Sequence, residues 1–238
     1  MEFINYAHRG ASHYAPENTF SSFYLGWQMR ANGIETDVQR SKDGVLVLFH
    51  DDDMMRVANR PQAIHDFTYE ELLQIDMGAH MGERFRGEKI PTLEEFLRHF
   101  GAKPLHFAIE IKELGVEEKT LALIGRYCRR ENVVITSGIW QALTNVRSLD
   151  PEIRLGYLAR DLNDELLAAA KRDGIKQICP RASALTEAWN ARLRGEGFSV
   201  RPWGIGDEQT MQRMLDMRVD GMTINFPDVL QRALEDRA

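Results

Sequence analysis

Short apolar runs alternate with helix-patterned stretches about eight times along this chain, and few folds accommodate that rhythm. Strand-like runs occupy residues 3–7, 34–38, 106–111, 133–136, 153–158, 176–179, 198–203 and 221–225. Between them, apolar residues recur at helical spacing. In the first interval these are Phe20, Phe23, Tyr24, Trp27 and Ala31, with Asn18 or Thr19 placed to cap the helix and Gly33 to end it. A connection that returns through a helix to the same sheet is right-handed, so the strands are parallel and the helices lie outside. Eight β/α units in 238 residues fit a TIM (β/α)8 barrel, for which ~250 residues is typical. An open doubly wound sheet is the second choice. No G-x-G-x-x-G follows the first strand, which weakens a dinucleotide reading.

The rhythm breaks once. Asp43-Gly44 marks a turn, and residues 45–49 read as a strand returning beside the second barrel strand. Residues 51–90 are rich in Met, His and charge and form a small insertion after the second barrel strand. Its Met54, Met55, Phe67, Met77, Met81 and Phe85 suit packing against the barrel rim; the sharper alternative is an apolar lid over an acyl chain. Pro91-Thr92-Leu93-Glu94-Glu95 then restarts a helix, with Thr92 as cap and Glu95 at the capping-box position. No low-complexity linker divides the chain, so residues 1–238 are expected to form one domain.

Net charge is −6, and an acidic surface argues against nucleic acid as the partner while leaving room for a small anionic substrate. No apolar run reaches the ~20 residues of a membrane span. The first motif, at His8, leaves no room for a cleavable signal, so a cytoplasmic location is expected. Cys128 and Cys179 lack partners at zinc spacing and read as reduced, mostly buried thiols. The sequence leaves homo-oligomerisation open.

Ionisable residues gather where the strand-like runs end, which is where a parallel α/β protein places its chemistry. Glu35 and Asp37, two apart on a strand, point to one face. Glu110 and Lys112 repeat that spacing at the end of a later strand, where an unpartnered charge is costly. Glu110 joined to Glu35 and Asp37 makes a three-carboxylate site suited to Mg²⁺ or Ca²⁺ rather than Zn²⁺. Lys112 would face a phosphate or neutralise Glu110. His8 and His50 end two strands, and a pair of imidazoles allows one to take a proton while the other gives one. Arg9 offers a planar fork for phosphate oxygens. Asp51 stands next to His50 as an orienting carboxylate or the start of the loop. Trp203 is either barrel core or a wall for substrate stacking.

In His8-Arg9-Gly10, Pro16-Glu17-Asn18-Thr19, Glu35-x-Asp37, Asp43-Gly44, His50-Asp51, residues 90–95 and Glu110-x-Lys112, the chain resembles the glycerophosphodiester phosphodiesterase family. The resemblance covers essentially the whole chain and is strongest over residues 1–112. It implies a TIM barrel with a small insertion between residues 51 and 90, and a divalent cation, Mg²⁺ or Ca²⁺, on Glu35, Asp37 and Glu110. It further implies His8 and His50 as general acid and base, Arg9 and Lys112 on phosphate, Trp203 near the substrate, and Glu17 and Asn18 in support. The expected reaction is hydrolysis of a glycerophosphodiester to glycerol 3-phosphate and an alcohol, within glycerol and lipid metabolism. Action on lysophospholipids and a non-catalytic phosphate-binding barrel are the alternatives. A barrel lyase using metal and carboxylates leaves the second histidine, Arg9 and Lys112 without a task. The second half departs from the family pattern: Gly138 follows Ser137, Gly204 and Gly206 replace the usual Thr and Asn, and Ile224-Asn225 stands where Thr-Asp is common.

Overall fold

The computed structural model describes residues 2–237. Nine strands form one sheet: β1 (Ile4–His8), β2 (Gly33–Arg40), β3 (Leu46–Leu48), β4 (His106–Ile111), β5 (Val133–Ser137), β6 (Arg154–Ala159), β7 (Gln177–Pro180), β8 (Ser199–Val200) and β9 (Gly221–Ile224). Ten helices accompany them: α1 (Phe20–Gln28), α2 (Met55–Ala58), α3 (Tyr69–Leu72), α4 (Leu93–Phe100), α5 (Glu117–Tyr127), α6 (Trp140–Leu149), α7 (Asp164–Arg172), α8 (Glu187–Gly195), α9 (Glu208–Asp216) and α10 (Pro227–Glu235).

Spatial order is β8-β7-β6-β5-β4-β2-β1-β9, every neighbouring pair parallel, with β3 antiparallel on β2 as the turn at Asp43-Gly44 implies. The eight parallel strands form a TIM barrel. Its last seam is irregular. Residues 198–203 read as one strand, and its regular part ends at Val200. Hydrogen bonds to the β7 side continue from Arg201 N–H to Ile178 O and Trp203 N–H to Pro180 O (both 3.1 Å), and on the β9 side Pro202 has no N–H to donate. The chain closes the barrel with single contacts instead. Asp220 N–H donates to Val200 O (2.9 Å) and Thr223 N–H to Pro202 O (3.1 Å), and Ile205 bridges to Ile224.

Between sheet and helices lies the main apolar core, where Phe23, Phe96, Phe100 and Phe107 pack around α1 and α4, Phe96 meeting Phe107 edge to face and Phe23 and Phe100 at tilted angles. Thr92 and Glu95 form the expected capping box at the start of α4. The insertion has its own small core of Phe49, Met54, Ile64, Leu72, Met77 and Ile90. Met54 and Met77 are thus packing residues, whereas Met55 is exposed and Phe67, Met81 and Phe85 are half-buried. Inside the barrel the side chains are small or polar. Gly156 is required there, since a Cβ would stand 3.0 Å from both Gln177 and Thr136. Cys179 is buried and Cys128 half-buried, both as free thiols. Among the described residues no helix is long and apolar enough to cross a membrane.

Candidate active site

Strand register sets the site. Glu35 and Asp37 share the barrel-facing side of β2, and the ladders pair His8 with Glu35 and Asp37 with Glu110. Oxygens of Glu35, Asp37 and Glu110 come within 4.8 Å of one another. Burial, then Asp37 and Glu110, push the Glu35 carboxyl well above the usual range. Glu110 moves up for the same reasons, opposed by Lys112. Burial also works against ionisation of Asp37, but Arg9, His50 and Lys112 outweigh it and hold this carboxyl low. Asp37 Oδ1 is buried without a hydrogen-bond partner. An orphaned carboxylate oxygen beside two further carboxylates fits a cation, and the all-oxygen donor set fits a hard one such as Mg²⁺ or Ca²⁺.

Cations surround the acids. Arg9 has φ 54° and precedes Gly10 at φ 83°, where any Cβ would strike the Ser22 backbone at 2.4 Å. That tight turn sends Arg9 back over β2, where its Nε is 3.1 Å from Asp37 Oδ2 and its Nη1 donates to Glu17 Oε1 at 2.9 Å. Lys112 Nζ donates to Glu110 Oε1 at 2.9 Å and stands 3.8 Å from Asp37. Asn18, buried, donates to Asp37 Oδ2 (3.0 Å) and accepts from Thr36 (2.8 Å), which fixes the Asp37 rotamer.

Both histidines reach the same cleft, of about 750 Å³, which Trp203 walls on the far side. Trp203 is held there by its Nε1 donating to Cys179 O at 2.9 Å. The His8 Nδ1–H donates to Asn225 Oδ1 at 2.5 Å, and Nε2 lies 3.8 Å from Glu35. Burial and then Arg9 bring the His8 pKa down to about 3. His50 Nδ1 donates to Asp51 Oδ1 at 2.6 Å.

All eleven residues singled out in the sequence therefore converge on one end of the barrel. Two that matter were passed over. Arg56 donates through Nη1 and Nη2 to Glu17 (2.6 and 2.7 Å) and through Nε to Asp51 (2.8 Å). It fastens the insertion to the partners of both Arg9 and His50. Burial opposes ionisation of Glu17, but Arg56 and Arg9 bring its pKa to about 2. Arg56 lies five residues beyond Asp51, and sequence spacing gives no sign that it bends back to Glu17. Arg201 is a fully buried guanidinium in the barrel interior. Its signal was available: Arg201 and Trp203 share strand parity, so both point inward.

Comparison with known proteins agrees with this geometry. The model of the glycerophosphoryl diester phosphodiesterase family matches residues 8–229. A glycerophosphodiester phosphodiesterase of Caldanaerobacter subterraneus is 34% identical over 235 residues, covering 97% of each chain. A Bacillus subtilis enzyme of the same description is 31% identical, over 96% of this chain and 85% of its own. Among solved structures, a phosphodiesterase from Oleispira antarctica in complex with the product sn-glycerol-3-phosphate superposes with TM-score 0.90 at 27% identity, covering 97% and 96% of the two chains. With its acids, histidines and cations gathered at the mouth of such a barrel, the chain belongs to the glycerophosphoryl diester phosphodiesterase family, phosphoric diester hydrolases that act on glycerophosphodiesters.

Proposed function

We propose that this protein is one catalytic barrel that hydrolyses a glycerophosphodiester to glycerol 3-phosphate and an alcohol, with a divalent cation on Glu35, Asp37 and Glu110. The observation that carries this reading is the three-acid cluster lying between two imidazoles in one cleft. When bound, the ion supplies Lewis-acid stabilisation of charge on the phosphoryl oxygens.

The chain's own residues do the rest. Arg9 and Lys112 face the cleft and offset charge on the non-bridging oxygens as phosphorus becomes five-coordinate. His8 serves as the general base: its one ring proton is committed to Asn225, so Nε2 carries the lone pair. His50 serves as the acid, because Asp51 against Nδ1 stabilises an imidazolium that protonates the departing alkoxide through Nε2. Water and the neighbouring glycerol hydroxyl are both nucleophiles this base can activate. Glu17 and Asn18 hold Arg9 and Asp37 in place, and Trp203 offers its ring to the glycerol face. Leu158 and Trp203 are the large apolar side chains of the cleft, and charged groups make up most of its other lining residues.

A screen of glycerophosphodiesters with and without Mg²⁺ or Ca²⁺ tests the reading. Activity should disappear in chelator and return with one of these ions. General acid–base catalysis is worth ~10²–10⁴-fold, so His8→Ala and His50→Ala should each lose at least that order while remaining folded. Near-wild-type turnover in either purified variant, or full activity in excess chelator, would remove that part of the mechanism.

A further inference from the structure

The end of the barrel opposite the catalytic cleft holds a cavity of its own, of about 210 Å³. Ile4, His106, Arg154, Gln177, Ser199 and Gly221 line it, and each is the first residue of its strand. The cavity is therefore the N-terminal mouth of the barrel.

Arg201 reaches this cavity from inside and is 1% exposed. Its Nε donates to Gln177 Oε1 at 3.0 Å and its Nη1 to Thr223 Oγ1. The guanidinium lies over the Tyr6 ring, 5.1 Å from its centroid. Nη2 is buried without a partner, and among the described residues no carboxylate is in ion-pair contact with Arg201. A guanidinium stays protonated inside a protein, and a buried ion held only by neutral acceptors is costly. Nε and Nη2 share one edge of the fork. The acceptor on that edge, Gln177, lines the N-terminal mouth and not the catalytic cleft. Arg201 and Thr223 also line the catalytic cleft, so the unpartnered Nη2 lies between the two openings, on the Gln177 edge.

Two more cations stand at the same opening, Arg154 and Lys176. The acids there are already engaged. Asp220 accepts from Arg194 (2.9 Å) and from the Val200 N–H (2.8 Å), and Glu2 accepts from Asn32 at 3.2 Å. The mouth therefore offers a buried, forked donor and two rim cations, of which Arg154 also donates to the Glu131 carbonyl, with Glu2 the acid there that has no ion-pair partner among the described residues.

We propose that the N-terminal mouth is a binding site for a small tetrahedral oxyanion, inorganic phosphate being the free form, with Arg201 as the buried donor and Arg154 and Lys176 as rim cations. The ligand supplies a counter-charge on the N-terminal side of Arg201, as Glu35 does from the cleft side. The site is separate from phosphodiester cleavage and stands whether or not that reading holds.

Crystals soaked in selenate should show an anomalous peak within hydrogen-bond distance of Arg201 Nη2. An ordered water there, with no peak at saturating selenate, would overturn the proposal. In solution, phosphate should raise the Tm of metal-free protein saturably, and this rise should persist in Lys112→Ala, where the catalytic phosphate cradle is weakened. The double variant Arg154→Ala/Lys176→Ala, altered only at the rim, should weaken phosphate binding at least tenfold. A Tm rise that vanishes with Lys112→Ala, or is untouched by the rim variant, would assign the effect to the catalytic cleft and refute the second site.

Discussion

Asn225 is the residue through which the acid–base assignment is most sharply tested. A neutral amide holds the His8 ring proton at 2.5 Å, and the His8 pKa lies at about 3. Asn225→Asp puts a carboxylate at the same contact. Charge centres about 4–5 Å apart in an effective dielectric of about 20 attract by roughly 3–4 kcal/mol, which is two to three pKa units. The His8 pKa should therefore rise to about 5–6. The base works only when neutral, so the acid limb of kcat/KM should move up by two to three units in the variant, with roughly two- to tenfold less activity at pH 5 and little change at pH 8. Asn225→Ala separates charge from tautomer: without the acceptor the ring proton is no longer fixed on Nδ1, so the rate should fall with no upward shift of the limb. A pH–rate profile from pH 4 to 9 on one glycerophosphodiester decides it. Superimposable acid limbs for wild type and Asn225→Asp would refute His8 as the base.

Two further variants test the support around the site. Arg56→Lys keeps the charge but cannot hold Glu17 with two donors while reaching Asp51. Hydrogen bonds to charged groups are worth about 1.5–3 kcal/mol, so kcat/KM should fall about 10- to 100-fold, and an unchanged value would remove Arg56 from the machinery. Glu17→Gln bears on stability. The folded Glu17 pKa of about 2 lies below its ordinary 4.5, so this carboxylate stabilises the fold above pH 4.5 and that contribution is lost as pH falls from 4.5 through 2. The difference is on the order of 3 kcal/mol. Urea unfolding of the variant should show lower stability at pH 7 and a flatter dependence between pH 5 and 2 than wild type; parallel curves would contradict the clamp.

The barrel was legible because its signal is repeated. Each apolar run and helical stretch is weak alone, yet eight in series admit few topologies, and the Thr92/Glu95 cap appeared where its sequence pattern placed it. The acid cluster was legible for a related reason. Period-two spacing fixes the face of Glu35 and Asp37, and parallel register then brings Glu110 alongside. What escaped notice depends on chain paths without a period. Arg56 reaches Glu17 only because the insertion folds back on its own core of Met54, Ile64 and Leu72. The shortened β8 follows from Pro202, a local breaker in an otherwise strand-like run. Arg201 was hidden by expectation: barrel interiors are usually branched and apolar, and an arginine in one is read as surface.

Charge balance links these observations and yields a last prediction. Glu17, Glu35, Asp37, Asp51, Asp52, Asp53 and Glu110 carry seven potential negative charges around the cleft, against five positive charges on Arg9, Arg56, Lys112, Arg160 and Arg201. Full ionisation leaves a local excess of two, the charge a divalent cation supplies. In its absence the excess is relieved by protonation, and Glu35, held well above the usual carboxylate range by burial, Asp37 and Glu110, is the group that takes up a proton first. Coordination requires the carboxylate, so loading the site expels that proton and affinity falls as pH falls. Calorimetric titration of Mg²⁺ or Ca²⁺ into metal-free protein, in buffers of different ionisation enthalpy, should report proton release on binding that grows as pH falls. In Glu35→Gln the release should drop to near zero and binding should weaken. Buffer-independent heats in the wild type would mean that Glu35 is already ionised without the ion, and the charge count around the cleft would then be incomplete.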